Sequence, residues 1–253
     1  MRVFDITFDC KSDVPTGKDP DSHSQKLKTN HELLWTKALS SDVLFAPTEP
    51  SDPKTRRNNY LMFEQASDKK FTFGSDAITN SYTKWSRPKA LVEAKAGLSE
   101  KQKLRYFNPP YTIGSAMIWP VRKIHRPTMN TARGMRGKIA DRMDLTLECI
   151  RRHYAEEPGS PLEDVTTNYA DFFALFGTFE QFVKFFHFQD LVTREGKIDF
   201  FLKHGEDFKR SGVPVTTDEY VEVREASLKF IKRRGNRMAD WVEENHPEIK
   251  VRR

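Results

Sequence analysis

Residues 138–154, KIADRMDLTLECIRRHY, constrain the fold most, because their spacing predicts a helix with apolar residues on two sides. At about 100° per residue, one set of apolar side chains gathers within about 80° and forms the main stripe. That stripe consists of Ile139, Met143, Leu147, Ile150 and Tyr154. Leu145 and Cys149 form a second strip among the charged residues. Such a helix needs cover on two sides, so we expect its flanking charges to be partly desolvated and to need partners.

Charged side chains fill the rest of this helix. Those broadly opposite the main stripe are Asp144, Glu148 and Arg151. Glu148 precedes Arg152 by four residues, the favourable order for a helical ion pair worth roughly 0.2–0.5 kcal/mol. Arg142 and His153 fall between the two apolar strips. Three interpretations stay open: a solvated face, a buried network that fixes the geometry, and a functional site.

The segment that leads into this helix has the composition of an anion-binding loop. It combines glycines, short polar side chains and cations: Thr128, Asn130, Arg133, Gly134, Arg136, Gly137 and Lys138. Glycines allow backbone N–H groups to converge on an anion, and the following helix N-terminus adds partial positive charge. Arg133 and Arg136 have the planar fork that grips phosphate or carboxylate. The spacing is neither a Walker loop nor GxGxxG, and a basic surface loop is the alternative.

These two segments supply the candidate site residues. The ligand-binding candidates are Asn130, Arg133, Arg136, Arg142 and Arg151. The candidates for acid–base catalysis are Asp144, Glu148 and His153. Cys149 and His153 lie one helical turn apart, but apolar neighbours flank Cys149 and no nucleophile-elbow pattern surrounds it, so nucleophilic catalysis is disfavoured. No sequence pattern identifies a cofactor.

The composition is that of a folded, basic chain. Charged residues make up 31% of the 253 residues and hydrophobic residues 37%, while the aromatic share of 12% argues against disorder. The 19 Phe residues can bury a sizeable core. The net charge of +6 favours anionic partners such as a nucleotide, a nucleic acid or an acidic protein.

The cysteines and the hydropathy indicate a cytoplasmic protein that does not enter a membrane. Cys10 and Cys149 form neither a disulfide framework nor a metal pattern, so we expect buried free thiols in a reducing compartment. No apolar run approaches the roughly 20 residues that cross a bilayer. The N-terminus has the alternation of a strand and not the pattern of a signal peptide. The oligomeric state is not indicated by any pattern.

Acidic residues near the N-terminus raise the question of a metal site. The residues concerned are Asp5, Asp9, Asp21 and His23. Clustered carboxylates hold Mg²⁺ or Mn²⁺, but residues four apart on one strand, such as Asp5 and Asp9, are separated by roughly 13 Å. The sequence DPDSHS is also typical of turns, in which Asp and Ser bond to nearby backbone. Turn chemistry is therefore favoured, and we assign no metal ligand.

The N-terminal half is predicted to be rich in strands. Residues 3–10 alternate apolar and polar side chains, and residues 59–64 and 70–76 have the pattern of a hairpin. The continuous apolar run TIGSAMIWP, residues 112–120, is the best candidate for a buried central strand. Between these strands, residues 27–39 place apolar side chains at helical spacing.

The C-terminal half is predicted to be helical. Residues 165–192 contain eight Phe at helical spacing, which is more typical of a core than of a base-stacking surface. Asp190 follows them and is expected to pair with an arginine of the charged helix. Residues 216–245 predict a long helix whose start carries a capping signature, Thr216 with Glu219 three residues later.

Strands first and helices later predict an α+β fold. A small mixed or antiparallel sheet from the strand-rich part, residues 1–125, is expected to pack against the helical part, residues 126–250. The sequence contains neither an internal repeat nor a linker. We therefore expect residues 1–253 to form a single domain.

Several segments resemble a widespread, uncharacterised bacterial family, a domain of unknown function. They include GKDPDSHS, FTFGSDAIT, TIGSAMIWP, MNTARG, KIADRMDLTLECIRRHY and YADFFALFGTFEQFVKFFHFQDLV. The likeness covers most of the chain, which favours one continuous domain. The resemblance implies a bacterial, cytoplasmic protein and implies no activity or catalytic residue.

Three functions stay open. The first is binding of a phosphate-bearing ligand, a nucleotide or nucleic acid, through the Arg/Gly loop at 130–138 and the charged helix. The second is an enzyme of transferase or hydrolase type with Glu148, Asp144 or His153 as acid–base groups. The third is a structural or interaction protein without a small-molecule site, in which the arginines belong to the scaffold.

Overall fold

Short strands and many helices make up the molecule. The computed structural model describes residues 2–39, 43–51, 60–65, 69–78, 89–121, 127–203 and 208–253. The strands are β1 (Val3–Asp5), β2 (Lys37–Ala38), β3 (Leu44–Phe45), β4 (Leu61–Glu64), β5 (Lys70–Ala77), β6 (Ala116–Pro120) and β7 (Lys250–Arg252). The helices are α1 (Pro20–His23), α2 (Gln25–Trp35), α3 (Lys89–Ala96), α4 (Glu100–Phe107), α5 (Met129–Met135), α6 (Met143–Tyr154), α7 (Glu163–Asn168), α8 (Ala170–Ala174), α9 (Phe179–Phe185) and α10 (Thr217–Asn245). This arrangement confirms the predicted α+β class.

The largest described sheet has three antiparallel strands in the order β4-β5-β6. The predicted hairpin is confirmed as β4 paired with β5. The run TIGSAMIWP is buried as predicted, but its first part is a 3-10 turn (Ile113–Ser115) and β6 pairs only with β5. It is therefore an outer strand of the described sheet and not a central one. Its burial comes partly from α10, which passes so near that a Cβ on Gly114 would lie 2.5 Å from the Ile231 carbonyl oxygen.

The first strand is shorter than predicted. β1 pairs in parallel with β7, with Phe4 opposite Val251. The alternating pattern does not continue as a strand to residue 10, because the Asp5 carboxylate accepts bonds from the Thr7 backbone N–H and hydroxyl and turns the chain. Phe4 and Cys10 are nevertheless both buried, as expected for apolar positions of the alternating segment 3–10.

The helix α6 begins at Met143 and not at residue 138. Ala140 and Asp141 have φ angles of 50° and 59°, in the left-handed region that a right-handed helix cannot contain. Arg142 then becomes the N-cap residue. Every residue from 143 to 150 is buried, so the predicted cover on two sides is confirmed. The solvated-face interpretation is therefore wrong for these residues.

The helix α2 ends at Trp35, although the apolar spacing predicted a helix to residue 39. The Thr36 backbone N–H and its hydroxyl both donate to the Glu32 carbonyl oxygen, which closes the last turn. The chain then continues as β2, which pairs antiparallel with β3 and places Lys37 opposite Phe45. This change of direction brings Lys37 to a half-buried position between α9 and α10.

The Phe-rich segment and the last helix build the core around these elements. Seven of the eight Phe residues between 165 and 192 are buried: Phe172, Phe173, Phe176, Phe182, Phe185, Phe186 and Phe188. The long helix α10 is confirmed, with the Thr216 hydroxyl accepting from the Glu219 backbone N–H. The Glu219 carboxylate accepts from the Val215 N–H instead of completing the capping box with Thr216.

Candidate functional site

The predicted anion-binding segment is a helix over much of its length, and its first arginine is fully buried. The loop expected at 130–138 is α5 as far as Met135, with Thr128 as the N-cap. Arg133 donates to the Thr146 hydroxyl at 3.0 Å and to the Ile78 carbonyl oxygen at 2.9 Å. Its guanidinium lies over the Trp119 ring, 4.8 Å from the centroid. The loop prediction is wrong for this part of the segment, because Arg133 binds the core.

The other members of that segment have separate surroundings. Arg136 forms a two-pronged ion pair with Asp164, at 2.6 and 2.8 Å. This hydrogen-bonded pairing lowers the pKa of Asp164 and raises that of Arg136. Asn130 is partly buried, and its enclosed Oδ1 has no hydrogen-bond partner among the described residues. The segment thus presents a paired surface arginine and one unsatisfied amide oxygen.

The charges at the start of α6 form a closed network. Arg142 and Asp144 are both buried and bond to each other through two guanidinium nitrogens and two carboxylate oxygens. Asp144 also accepts the Phe201 backbone N–H at 2.9 Å. A buried carboxylate held by an arginine and a backbone N–H has few acceptor positions left for a substrate. The geometry is that of a structural link between α6 and the chain near residue 201.

Further along α6, Glu148 is surrounded by arginines. Its carboxylate accepts from Arg151 and Arg152, each Nε at 2.8 Å, so the predicted Glu148–Arg152 pair is confirmed. Arg151 also binds the exposed Glu157 at 2.6 Å. These bonds raise the pKa of Arg151 and lower that of Glu157. We call Arg142, Asp144, Glu148, Arg151, Arg152 and Glu157 the arginine network.

His153 is the one predicted catalytic residue that lines a described cleft. The cleft has a volume of about 430 Å³ and is also bordered by Glu157, Ser160 and Glu163. The imidazole packs on Phe173 with ring centroids 5.1 Å apart, and partial burial lowers its pKa. Asp144 and Glu148 do not line this cleft, so the three predicted catalytic residues do not share one open site.

Neither cysteine has the character of a nucleophile. Cys10 and Cys149 are buried and free, as predicted. Burial raises the pKa of each thiol to about 12. At neutral pH both therefore stay protonated, and the thiolate is the reactive form.

The N-terminal acidic residues are engaged in local structure. Asp9 accepts the Lys11 and Tyr111 backbone N–H groups, and Asp21 accepts the Ser75 and Tyr111 hydroxyls. Asp5 forms the turn already described. His23 lies in α1 with its Nδ1 3.1 Å from the Asp19 carbonyl oxygen. In the described part of the chain, no three His, Cys, Asp or Glu side chains are grouped so as to hold a metal ion.

A different region has the properties of a ligand site. A cleft of about 480 Å³ opens where β2, α9 and α10 meet. Its walls include Lys37, Lys184, Phe185, His187, Arg237 and Trp241. We call it the Lys37 cleft. None of these residues is among the candidate site residues predicted from the sequence.

Three aromatic rings surround the Lys37 ammonium. Its Nζ lies 4.4 Å from the Phe185 ring centroid, 5.0 Å from that of Trp241 and 5.2 Å from that of Trp35. The Nζ donates to the Phe185 carbonyl oxygen at 2.6 Å and faces His187 Nε2 at 3.4 Å. Among the described residues it has no carboxylate partner. The Lys37 ammonium is thus stabilised by a carbonyl oxygen, an imidazole and aromatic ring faces, where a buried lysine would ordinarily have a carboxylate partner.

Local backbone geometry explains the arrangement. Phe185 is the last residue of α9, where carbonyl groups have no partner within the helix. His187 has a φ of 58°, so the chain reverses immediately after the helix and turns the imidazole toward Lys37. A non-glycine residue in this region costs of order 1 kcal/mol, so surrounding contacts must hold it there.

The electrostatics of the cleft lower the pKa of both titratable groups at its centre. Burial lowers the pKa of Lys37 to about 7, with smaller contributions from the positive charges of Arg234 and Lys184. Burial, with Lys37, Arg234 and Arg237, lowers the pKa of His187 to about 2. His187 is thus a neutral acceptor at physiological pH, and Lys37 is divided between ammonium and amine.

A buried arginine beneath the cleft contributes to this field. Arg234 donates to the carbonyl oxygens of Phe186, Gly114 and Ala116 at 2.8–3.0 Å, and its guanidinium lies 4.7 Å from the Phe188 ring centroid. It has no ion-pair partner in the described part of the chain, and burial lowers its pKa to about 9. Its positive charge is therefore not cancelled locally.

The rim of the cleft is mixed in charge. Arg237 pairs with Asp190 at 2.6 Å. The prediction that Asp190 pairs with an arginine of the charged helix α6 is therefore wrong, because α10 supplies the partner. Gln189 also lines the cleft, and its buried Oε1 has no hydrogen-bond partner in the described structure.

The fold and this site define a class of protein, an α+β protein with an aromatic-walled cleft around Lys37. Comparison with known families adds a family assignment. A model of a family of unknown function (DUF6994) matches residues 4–238, so the chain belongs to that family. This confirms the resemblance to an uncharacterised family. Comparison with curated proteins and with solved structures gave no match. In the described residues, no helix is both long enough and apolar enough to cross a membrane.

Proposed function

We propose that the protein binds a small anionic molecule with a flat or apolar body in the Lys37 cleft. The observation that carries this proposal is the Lys37 Nζ, which faces three aromatic rings and has no carboxylate partner among the described residues. A ligand carboxylate or phosphate would supply the missing counter-charge through a charge-assisted hydrogen bond.

Charge and size agree with such a ligand. Lys184 borders the same cleft as Lys37, and Arg234 adds uncompensated charge from below. Arg237 on the rim is paired with Asp190, and Asp240 and Glu244 also border the cleft, so the positive charge is concentrated around Lys37 and Lys184. The volume of about 480 Å³ falls in the usual range for small-molecule sites. The Trp241 and Phe185 rings offer apolar surface for the rest of the ligand. The proposed ligand class includes the phosphate-bearing ligands expected from the sequence, such as nucleotides. The proposed site differs from the expected one, because it is the Lys37 cleft and not the Arg/Gly segment.

The predicted arginine segment supports this function less well. Arg133 and Arg142 are buried against protein partners, and Arg136 and Arg151 are paired with carboxylates. A ligand there would first have to displace these bonds. The enzymatic alternative with Asp144, Glu148 and His153 has similarly little support, because arginines occupy the two carboxylates. A scaffold role agrees best with the arginine network.

Isothermal calorimetry tests the proposed site. The full chain is titrated with inorganic phosphate, nucleoside monophosphates and a dicarboxylate, beside Lys37→Met and the matched control Arg136→Ala. Loss of a charge-assisted bond worth about 1.5–3 kcal/mol should weaken binding to Lys37→Met roughly ten- to hundred-fold. Arg136→Ala should bind as the wild type does. Equal affinity in Lys37→Met, loss of binding in Arg136→Ala, or no binding of any probe at millimolar concentration would each reject the Lys37 cleft.

A further inference from the structure

Lys37 has the surroundings of a reactive amine rather than those of a simple cationic anchor. An anchoring lysine is normally kept charged by a carboxylate or by water. Here three rings surround the Nζ of the half-buried lysine, and its near polar neighbours are a backbone carbonyl and an imidazole. We infer that Lys37 condenses with an aldehyde or 2-oxo acid held in the Lys37 cleft and forms an imine at Nζ. This inference rests on the proposed binding site.

The charged and titratable groups that face Lys37 lie on the two helices packed against it, α9 and α10, and on the residues just after α9. They are Lys184 on α9, His187 after α9, and Arg234, Arg237, Asp240 and Glu244 on α10. Asp240 and Arg237 are engaged elsewhere, with Arg253 and Asp190 respectively. The positive charges of Arg234 and Lys184 both disfavour the ammonium form of Lys37. A lysine desolvated beside other cations is the arrangement that makes an amine nucleophilic near neutral pH.

The reaction balances without an external oxidant or reductant. The Nζ lone pair forms a bond to the carbonyl carbon while the carbon–oxygen π bond breaks, giving a carbinolamine. The second step forms the carbon–nitrogen double bond and expels the oxygen. Both amine protons leave with that oxygen as one molecule of water, which reaches solvent through the open cleft. His187 accepts a hydrogen bond from the amine during this step. It does not become protonated, because the pKa of its imidazole is about 2.

The cleft also offers a place for the acid group of a 2-oxo acid. Lys184 lines the cleft and has no ion-pair partner in the described part of the chain. A carboxylate bound there would lie in the same cavity as the Lys37 Nζ. We therefore expect 2-oxo acids to react better than neutral aldehydes of similar size, because binding at Lys184 brings the carbonyl close to the amine.

A purely structural role for Lys37 has to be separated from this chemistry. The Nζ bonds to the last carbonyl of α9, and a cation at a helix C-terminus is stabilising by itself. Arginine in place of Lys37 would keep the charge and could still bind the carbonyl, but it cannot form an imine. The Lys37→Arg variant therefore preserves a capping role and removes a reactive one.

The experiment traps the imine on the full chain. The protein is incubated at pH 7 with glyoxylate, or with propanal as the uncharged probe, together with cyanoborohydride, and labelled lysines are mapped by peptide mass spectrometry. A pKa of about 7 leaves roughly half of the amines neutral, whereas an ordinary lysine at about 10.4 leaves fewer than one in a thousand. We expect one rapidly labelled lysine per chain, Lys37, with a label that forms at least about ten-fold faster than on any other lysine.

The controls distinguish failure of this inference from failure of the proposed function. Lys37→Arg should lose the fast label. Lys184→Gln removes a charge that lowers the pKa of Lys37, so it should slow both probes, but only glyoxylate should lose its advantage in the ratio of the two rates. Label spread evenly over surface lysines of the wild-type protein overturns the inference even if Lys37→Arg does not fold. If calorimetry shows phosphate or carboxylate binding at Lys37 but no fast label forms, the imine is rejected and the binding site stands.

Discussion

The arginine network and the Lys37 cleft both place cations in the interior, but they neutralise them differently. In the network each arginine meets a carboxylate, as Arg142 meets Asp144 and Arg151 meets Glu148. In the cleft Lys37 and Arg234 meet carbonyl oxygens and aromatic rings. A cation that is paired with a carboxylate attracts a ligand anion only weakly, whereas a cation without such a partner attracts it strongly. The difference separates scaffold from candidate site more clearly than the number of charges does.

The largest expected effect is the loss of the buried pair in the arginine network. Arg142→Ala leaves Asp144 buried without its cation, which should lower the free energy of unfolding by about 3–5 kcal/mol. Denaturant unfolding followed by circular dichroism measures it. The double variant Arg142→Ala with Asp144→Ala should recover part of this loss, since it removes the unpaired charge. A loss below about 1 kcal/mol in the single variant would show that the pair is not structurally important.

The pH dependence of stability should distinguish the cleft from the network. The pKa of Lys37 is lowered to about 7 in the folded chain and is about 10.4 when unfolded. Between these values the unfolded state binds more protons, so the free energy of unfolding rises with pH. Relative to Lys37→Met, the wild type should gain about 1 kcal/mol or more from pH 7 to pH 10, since each pKa unit is about 1.4 kcal/mol before screening.

Arg234 also titrates in this window, because its pKa is about 9. It is present in both proteins, so the difference between wild type and Lys37→Met isolates the lysine. His187 titrates near pH 2 and does not contribute. A difference that stays flat from pH 7 to 10 would mean that Lys37 keeps an ordinary pKa, and the contrast between the two regions would lose its electrostatic basis.

A smaller effect is expected at Glu148, where the network reaches the surface. Glu148→Gln keeps the shape but weakens bonds to Arg151 and Arg152, whose side chains are about one-fifth exposed, at 24% and 20%. The free energy of unfolding should fall by about 1 kcal/mol, and ligand binding in the Lys37 cleft should not change. Chemical denaturation and calorimetry on the same preparation check both. Abolished ligand turnover in this variant would instead favour the enzymatic alternative.

The sequence predicted features that depend on periodicity and failed where distant contacts decide. The long helix α10, the β4–β5 hairpin and the two-sided burial of α6 follow from spacing alone. The start of α6 did not, because the left-handed Ala140 and Asp141 have no local sequence signature. The helical spacing continued past Trp35, whereas the chain leaves α2 there and pairs with β3.

The candidate site could not be predicted for the same reason. Phe185 and Trp241 lie about 150 and 200 residues after Lys37 in the chain, and nothing in the local sequence WTKAL indicates that this lysine is enclosed by aromatic rings. Conversely, TARGMRGK has the composition of an anion-binding loop, but Arg133 extends into the core toward Ile78 and Thr146. Which cations are paired is a property of tertiary structure and is not encoded in local composition.

The smallest expected effect is at Arg136, and it tests the predicted anion-binding segment directly. Its pair with Asp164 is partly exposed, with side-chain exposures of 29% and 60%, so Arg136→Ala should cost about 0.2–1 kcal/mol of unfolding free energy. Because Asp164 already satisfies the guanidinium, the variant should bind phosphate-bearing probes as well as the wild type does. A ten-fold or greater loss of binding, measured by calorimetry at constant ionic strength, would move the ligand site from the Lys37 cleft back to α5. In that case Asp164 would be an internal competitor that the ligand displaces, and Asp164→Asn should then bind more tightly than the wild type.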